Sequence, residues 1–384
     1  MIKPLEGIIV LDFSQFLSGP SASLRLADLG ARVIKIEQPV TGDICRSLYI
    51  SNVVMNGESS LFHAINRNKQ SYQADLKNEV ERQKVYKLIK NADVIIHNFR
   101  PGVADRLGIG YKTVTELNPL IIYGEISGYG KEGPWKDKPG QDLLLQALSG
   151  LTTLSGNDGD GPVPMGLPVV DLIAGAHLAQ GILACLLRRA RHNIGGLVEV
   201  SMLESIMEFQ FESVTTYFRD GGQPTLRTKG NNAHPYLGAP YGVYQTKDGF
   251  MALAMGQIPV LGELLGCPAL LEYKESESWY DQRDGIKNML AHHLKTRSTA
   301  DWLAVLEPAD IWCAEVLDWG RLFDSMSFKL LDMIQHVQMS DGYRFQTTRC
   351  PIRINDALLT SNLGTPKLGE HTNMIQSEMN IKTQ

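Results

Sequence analysis

One carboxylate, Asp171, stands where a polar loop runs into an apolar helical pattern. Gly166 and Pro168 precede it, and the stretch DLIAGAHLAQGILACLL follows. Aspartate is a favoured N-cap, because its side chain accepts hydrogen bonds from the first amides of a helix. The same amides favour the ionised form, and a carboxylate that faces a cleft can act as a covalent nucleophile. The local sequence leaves both roles open, cap and nucleophile.

The stretch LDFSQFLSGP, residues 11–20, is a second candidate for ligand binding. An apolar strand, a Gly-Pro break and a helix follow one another here, and parallel sheets bind ligands at such carboxyl ends of strands. This stretch does not contain the dinucleotide-binding pattern G-x-G-x-x-G. The chain also does not contain the phosphate-binding pattern G-x-x-x-x-G-K-[ST]. A plain strand–helix connection is the simpler alternative.

Basic and amide side chains recur near the ends of the predicted strands, and arginine forks suit phosphate groups. They are Lys35, Arg46, Lys69, Lys77, Asn98, Arg100 and Arg106. Solvated surface charge is the alternative explanation for most of them. His97, His177 and His234 lack metal-ligand spacing and neighbouring Ser or Cys motifs, so we expect structural roles for all three.

Composition excludes several classes of function. The 384 residues are 43% hydrophobic and 21% charged, which is ordinary for a globular protein. A net charge of −5 gives no electrostatic footprint for nucleic acid. The most apolar helical stretch, around 172–187, is interrupted by His177 and Gln180, so we expect a buried helix and no membrane span.

The five cysteines indicate a reducing compartment. They are widely scattered, odd in number and without a C-x-x-C pair, so neither a disulfide framework nor a zinc site is expected. The N-terminal stretch has neither the charge nor the apolar length of a signal or transit peptide. We therefore expect a cytoplasmic protein without a metal.

Strands and helices alternate in the first part of the chain, which predicts an α/β fold with a parallel sheet and helices on its faces. Apolar runs predict strands at 7–13, 31–37, 93–97, 120–123 and 198–201. Helical spacing predicts helices at 21–29, 79–91, 141–149, 172–190 and 202–218. Residues 241–246 and 249–254 are typical of a β-hairpin.

Composition shifts suggest the domain boundaries. We predict a large Rossmann-like domain over 1–220, a smaller α+β domain over 225–320, and a C-terminal segment, 321–384, that returns to the large domain. The segment 228–242 is rich in Gly, Pro and Asn, so it is a candidate for a loop that covers a site.

Taken together, the motifs resemble the class III CoA-transferases, the group that contains formyl-CoA transferase and carnitine CoA-transferase. The resemblance covers nearly the whole chain, and its motifs occur in the family's order. They are PLEGIIVLDFSQFLSGP, LADLGARVIKIEQP, NRNKQSYQADLK, ADVIIHNFRPGVADRLGIGY, ISGYGKEGP, QDLLLQALSG, VVDLIAG, LVEVSMLES, CPIRIND and KLGEHT.

This resemblance implies a Rossmann-like large domain, a smaller domain and an interlocked homodimer. It places the nucleophilic aspartate at Asp171. It places the contacts to coenzyme A, which acts as a co-substrate, at Leu17, Ser18, Gln38, Ala74, Leu76, Lys77, Asn98, Phe99, Arg100 and Arg106. Gln38 stands where the family often has arginine.

The implied reaction moves CoA from an acyl-CoA to a small carboxylic acid through an aspartyl anhydride and an aspartyl-CoA thioester. Backbone amides near the start of the 172 helix are expected to stabilise the oxyanion. α-Methylacyl-CoA racemases are the main alternative, but they carry histidine where Gln141 stands and glutamate near Gly256. Gln141 cannot titrate and glycine has no side chain, so both differences favour transfer. A non-catalytic CoA-binding protein is the third possibility.

Overall fold

A computed structural model describes residues 2–50 and 52–379. The chain divides into two compact units. Unit 1 comprises Met1–Leu145, Pro168–Phe209 and Leu330–Gln384, as far as these ranges are described. Unit 2 comprises Gln146–Leu167 and Gln210–Lys329. Residues 146–167, which the composition had placed in the large domain, thus belong to the smaller unit.

The helices and strands alternate along the first part of the chain. As far as residue 127 they are β1 (Ile9–Asp12), α1 (Ser18–Asp28), β2 (Arg32–Glu37), β3 (Val54–Met55), β4 (Glu58–Ser59), α2 (Ser60–Asn66), β5 (Gln70–Gln73), α3 (Glu79–Asn91), β6 (Val94–His97), α4 (Val103–Arg106), α5 (Tyr111–Leu117) and β7 (Ile122–Ser127).

The remaining elements are mostly helical. In chain order they are α6 (Asp142–Leu148), α7 (Val169–His192), β8 (Gly196–Ser201), α8 (Met202–Phe209), α9 (Phe211–Arg219), β9 (Gly242–Gln245), β10 (Phe250–Leu253), α10 (Ile258–Leu265), α11 (Arg283–Leu294), α12 (Thr299–Leu306), β11 (Cys313–Glu315), α13 (Trp319–Asp324), α14 (Met326–Leu331), β12 (Ile334–Gln338), β13 (Arg344–Thr348), β14 (Arg353–Ile354), β15 (Ala357–Leu358) and α15 (Thr372–Glu378).

A six-stranded parallel sheet forms the centre of unit 1, in the order β5-β2-β1-β6-β7-β8. The chain winds outward from β1 in one direction as far as β5 and then, starting again at β6, in the other. This is the doubly wound arrangement, and its ligand crevice lies beyond the carboxyl ends of the two strands where the direction reverses. In this chain those strands are β1 and β6.

Helices cover both faces of the sheet. Tyr123 packs in a core with residues of α3 and α5, among them Val85 and Val114. The next strand residue, Gly124, faces Leu178 and Ile182 of α7. Because successive strand residues point to opposite faces, α3 and α5 cover one face and α7 the other. The predicted α/β class is therefore confirmed.

Helices α1 and α7 approach each other closely near their starts. A Cβ atom on Gly175 would lie 2.1 Å from the Ser21 hydroxyl and 2.6 Å from the Ser18 carbonyl oxygen. Only glycine permits this approach, which brings the start of α1 against the start of α7. The two helices carry Ser18 and Asp171 in their first turns.

Helix α7 is longer than the sequence predicted. With 24 residues, it is the one helix within 2–50 and 52–379 whose length and composition would suffice to cross a membrane. Its buried side chains, which include Leu178 and Ile182, lie over the sheet. Helices that cover a sheet pass the same test of length and composition, and 33% of the apolar window of α7 is buried within the protein.

Unit 2 has its own core and its own sheet. Strands β9, β10 and β11 form an antiparallel sheet, and the β9–β10 pair confirms the predicted hairpin. Tyr244, Met251, Leu261, Leu290 and Trp302 are among the buried residues of this core.

The sheet strand β5 was not predicted from the sequence, and one predicted helix differs from the structure. Strand β5 lies at the sheet edge and was missed because its sequence QSYQ is polar and shows no apolar run. The predicted helix 202–218 is instead two helices, α8 and α9, which are separated at Gln210.

Candidate active site

Asp171 is not the N-cap of α7. The cap residue is Pro168, which has no side chain able to accept a hydrogen bond, and Asp171 is the third residue of the helix. The capping role that the local sequence had left open is therefore wrong. Its carboxylate lies in the first helical turn, near the carboxyl edge of the sheet where α1 also begins.

A second aspartate, Asp142, bonds to the start of α7 instead. Its Oδ1 atom accepts the amide of Val170 at 2.7 Å and the amide of Asp171 at 3.1 Å. Asp142 is the first residue of α6, so it comes from a separate helix. These two helix-start donors are thereby satisfied, and the side chain of Asp171 is released from capping.

The amides of residues 170 and 171 are consequently engaged by Asp142. We had expected amides at this helix start to stabilise an oxyanion. These two cannot do so while their bonds to Asp142 persist, so that expectation is not met at these positions. The oxyanion of a reaction at Asp171 must be stabilised by other groups.

Burial and, to a smaller extent, the negative charge of Asp142 raise the pKa of Asp171 to about 7. A hydrogen bond from Ser18 opposes both effects. Leu172, the next residue of α7, packs on an apolar cluster. The buried members of that cluster are Leu17, Cys45, Phe62 and Ile65. A carboxyl group removed from water in this way holds its proton more tightly than a solvated one.

Asn98 and Ser18 connect β6 with Asp171. The Nδ2 atom of Asn98 donates to the Ser18 hydroxyl oxygen at 3.2 Å, and the Ser18 hydroxyl acts on Asp171 by lowering the pKa of its carboxylate. The two predicted contacts Ser18 and Asn98 and the predicted nucleophile are thus neighbouring polar groups.

All ten predicted CoA contacts lie at or beyond the carboxyl ends of four neighbouring strands, β5, β2, β1 and β6. Leu17 and Ser18 follow β1, and Gln38 follows β2. Ala74, Leu76 and Lys77 follow β5, and Asn98, Phe99, Arg100 and Arg106 follow β6. One edge of one sheet therefore carries all of them.

These ten residues are not equally accessible. Gln38, Lys77, Arg100 and Arg106 are exposed, and their long polar side chains can reach a ligand at the surface. Ala74 and Leu76 are buried in the core, and the Ala74 amide already donates to the Glu37 carbonyl oxygen. These two residues shape the loop after β5 and have little side chain to offer a ligand.

Phe99 and Arg100 line a cavity of about 390 Å³ beyond the ends of β6 and β7. His97, Glu125 and Lys131 also line it, whereas Ser18 and Asp171 do not. The predicted contacts therefore fall into two groups: Ser18, which is bonded to Asn98, lies beside Asp171, whereas Phe99 and Arg100 line this cavity.

His97 has the structural role that its sequence context indicated. Burial and the charge of Lys131 lower its pKa to about 4, so the ring is neutral near pH 7. Its Nδ1 atom accepts the Phe99 amide at 3.3 Å, and its Nε2 atom lies 2.9 Å from the Tyr123 hydroxyl. Tyr123 donates its own proton to the Ile109 carbonyl oxygen at 2.7 Å.

Sequence reasoning missed the role of Asp142. It lies in the motif QDLLLQALSG, but nothing local relates an aspartate at one helix start to another helix 29 residues later. Within the described residues no group of three or more His, Cys, Asp and Glu could hold a metal ion. The expected absence of a metal stays a prediction.

Replacing Asp142 by asparagine should lower the pKa of Asp171 below its value of about 7. The amide oxygen can still accept the two backbone bonds, whereas the repelling charge is gone. The Asp171 carboxyl resonance can be followed by ¹³C NMR against pH, and assigned by its loss in Asp171→Asn. An unchanged midpoint would show that Asp142 has no electrostatic effect on Asp171.

Replacing Asp171 by asparagine should stabilise the protein above pH 7. The folded-state pKa of about 7 exceeds the ordinary value of 3.8, so the folded state binds the extra proton between these values. The free energy of unfolding therefore falls as the pH rises through that window. At pH 8 the variant should gain roughly 2–4 kcal/mol, since each pH unit between the two pKa values is worth about 1.4 kcal/mol.

This gain should stay nearly constant from pH 8 to about pH 7 and then shrink steadily as the pH falls towards 4, as measured by denaturant unfolding. Asp220→Asn is a suitable control, because Asp220 is exposed at the end of α9. A difference between Asp171→Asn and the unsubstituted protein that is independent of pH would contradict the assignment of a raised pKa.

Comparison with known proteins agrees with the geometry. The sequence profile described as CoA-transferase family III matches residues 5–372. The acetyl-CoA:oxalate CoA-transferase of Acetobacter aceti is 33% identical over 82% of this chain and 81% of its own length. The succinyl-CoA:mesaconate CoA-transferase of Haloarcula hispanica is 30% identical over 99% of this chain and 97% of its own.

A solved structure is also similar along the whole chain. The CAIB/BAIF family protein from Brucella suis superposes with a TM-score of 0.85 at 30% identity, covering 99% of this chain and 100% of that one. The family resemblance seen in the motifs is confirmed. The chain belongs to CoA-transferase family III, and it is a CoA-transferase enzyme.

Proposed function

We propose that the protein transfers CoA from an acyl-CoA thioester to a small carboxylic acid, with Asp171 as the covalent nucleophile. One observation supports this assignment above the others. Asp142 occupies the amides that an aspartate in the first helical turn would otherwise cap, so the carboxylate of Asp171 is free to react. A half-buried carboxylate without a capping role is best explained by chemistry.

The proposed reaction begins with attack of an Asp171 carboxylate oxygen on the thioester carbonyl carbon. The carbon–sulfur bond breaks, which gives an aspartyl–acyl anhydride and the CoA thiolate. The thiolate then attacks the aspartyl carbonyl carbon, which releases the donor acid and leaves an aspartyl-CoA thioester. The acceptor carboxylate repeats the two steps in reverse order, so acceptor acyl-CoA leaves and the Asp171 carboxylate is regenerated.

The surroundings of Asp171 suit this role. A carboxylate with a pKa of about 7 is more basic than a solvated aspartate, and a more basic oxygen is a better nucleophile. In this proposal Ser18, which is itself held by Asn98, orients the carboxylate by donating its hydroxyl proton to it. Orientation of this kind supplies a large part of the acceleration in reactions of bound partners.

The names of the relatives indicate which class of substrate to propose for this chain. They act on acetyl-CoA and oxalate, on succinyl-CoA and mesaconate, and on succinyl-CoA and glutarate. We therefore propose a donor and an acceptor with short acyl chains, of which at least one is a dicarboxylic acid. The exposed cations Lys77, Arg100 and Arg106, which lie at the same sheet edge, would bind the phosphates of CoA.

Replacing Asp171 by alanine should abolish transfer, which we expect to fall at least about a thousandfold because no other described group takes over the covalent step. Transfer can be assayed by mass spectrometry with acetyl-CoA and succinyl-CoA against oxalate, mesaconate and glutarate. In the unsubstituted enzyme, hydroxylamine should trap the activated aspartate as a hydroxamate on the peptide that contains residue 171.

Asp220→Ala is the matched control, since it removes an exposed aspartate, and it should retain full activity. CoA binding of the Asp171 variant, measured by calorimetry, should persist. Substantial transfer by Asp171→Ala would remove this residue from the mechanism. Uptake of deuterium at the α-carbon of an acyl-CoA from heavy water, without transfer, would instead show the racemase reaction.

We also propose that the chain forms a homodimer, as the resemblance implied, and that it is cytoplasmic. We propose that helix α9 is part of the interface with the second chain, because none of its residues is buried. Phe211, Tyr217 and Phe218 are exposed on it, and two phenyl rings on one short helix are unusual at a surface facing only water. The five cysteines are free thiols, as a reducing compartment would keep them.

Light scattering coupled to gel filtration should therefore give twice the chain mass of 42.5 kDa. The double variant Phe211→Asp, Phe218→Asp should shift the mass towards that of a single chain, because charges replace apolar contacts. Lys229→Ala, at an exposed position, serves as the control. A mass of one chain for the unsubstituted protein at micromolar concentration would overturn the dimer.

A further inference from the structure

Polar side chains hold five backbone polar groups of the loop between β1 and α1, all of them in residues 14–16. The Ser14 amide donates to Asp12 at 2.9 Å, and the Ser14 carbonyl oxygen accepts from Lys35 Nζ at 2.7 Å. Asn98 binds both polar groups of Gln15, the amide at 2.9 Å and the carbonyl oxygen at 2.7 Å. The Phe16 amide donates to Asp43 at 3.3 Å.

The groups that hold the loop are themselves fixed by charge. Lys35 pairs with Asp43 at 2.7 Å, and Lys69 pairs with Asp12 at 3.2 Å, both inside the protein. Burial raises the pKa of Asp12, but the charges of Lys69 and Lys35 and two serine bonds outweigh it and bring the pKa to about 2. These buried ions are paired with one another, which reduces the cost of removing them from water.

Phe16 adopts an unusual backbone conformation within this loop. Its φ is +61°, in the left-handed region that costs a residue with a side chain roughly 1–2 kcal/mol. Eleven described residues other than glycine have positive φ, and nine of them are Asn or Asp, which tolerate it. The others are Phe16 and Val40, and Val40 lies in an exposed turn, unlike the braced loop of Phe16.

Phe16 is 42% exposed, although hydrogen bonds from side chains hold the backbone of residues 14–16. Strain of this kind persists only where the surroundings enforce it, and it is concentrated at ligand sites. In the free protein, holding the backbone in this conformation brings an exposed aromatic ring no stabilising contact. A bound ligand that packs on the ring would account for it.

We propose that Phe16 is a specificity-determining residue, whose ring contacts the acyl end of the bound thioester. Phe16 is two residues before Ser18, and Ser18 bonds to Asp171. The ring is therefore attached close to the carboxylate that receives the acyl group. The adenosine of CoA is separated from the thioester by the pantetheine arm, so the acyl group and the adjoining end of that arm are the parts within reach. The assignment rests on the proposed role of Asp171.

Three substitutions distinguish the effect of losing the phenyl ring from the effect of relieving the backbone strain. Phe16→Ala removes the ring and retains the left-handed strain, whereas Phe16→Gly removes both. Phe16→Leu keeps an apolar side chain of similar reach. Each variant is tested for binding of free CoA and of a carboxypropyl thioether of CoA, which carries an acyl-sized group but no carbonyl carbon for Asp171 to attack.

Phe16→Ala and Phe16→Gly should each bind the thioether about tenfold more weakly than the unsubstituted enzyme, the loss expected for part of an aromatic contact. Their affinity for free CoA should stay within about twofold, and Phe16→Leu should lose less than either. The ratio of kcat/KM for succinyl-CoA to that for acetyl-CoA should change in the same variants. Thermal unfolding should show Phe16→Gly to be at least as stable as Phe16→Ala.

Equal losses for CoA and the thioether would overturn the proposal, because the ring would then contact the part that both share. Unchanged binding of both would also overturn it and would leave the ring without a ligand. Neither result depends on turnover. A thioether-specific loss alongside retained transfer by Asp171→Ala would keep the acyl contact and reject only the proposed nucleophile.

Discussion

The bond between Asp142 and the start of α7 is the constraint on which the candidate site depends. A helix start needs acceptors for its first amides, and the nearest carboxylate would ordinarily be Asp171 itself. Asp142 takes that role from a separate helix, at 2.7 and 3.1 Å. Asp142 therefore accepts the hydrogen bonds of the helix-start amides, and the carboxylate of Asp171 does not have to. It also places a second negative charge nearby, which helps to raise the pKa of Asp171 to about 7.

The topology of the sheet explains why so few residues suffice to orient this carboxylate. The winding direction reverses between β1 and β6, so the loop after β1 and the loop after β6 meet at one edge. Asn98 belongs to the second loop, and it bonds to Gln15 and Ser18 of the first. The glycine at 175 lets α7 come close enough for Ser18 to reach Asp171. The loop after β1, the loop after β6 and the start of α7 are distant in sequence but lie together in the fold.

The sequence predicted the parallel sheet and most of its strands, because apolar runs and helical spacing are local features. It missed β5, whose QSYQ carries no apolar run although the strand pairs with β2 at the sheet edge. It singled out Asp171 through a motif but left the roles of cap and nucleophile open. Excluding the cap required knowing that Asp142 reaches the amides at this helix start from another helix, and such a contact leaves no periodic trace in the sequence.

The loop after β1 shows why buried ions occur at this place. A loop outside the sheet ladder leaves its amides and carbonyls without regular partners, and buried backbone groups must still be satisfied. Apolar side chains could fill the space but could not bond to the backbone of residues 14–16. Asp12, Lys35, Asp43 and Asn98 can, and the pairing of Lys35 with Asp43 reduces the cost of burying the charges. These bonds hold the backbone of residues 14–16 directly before the start of α1. Because Ser18 stands at that start, charge buried beneath β1 determines where the hydroxyl beside Asp171 lies.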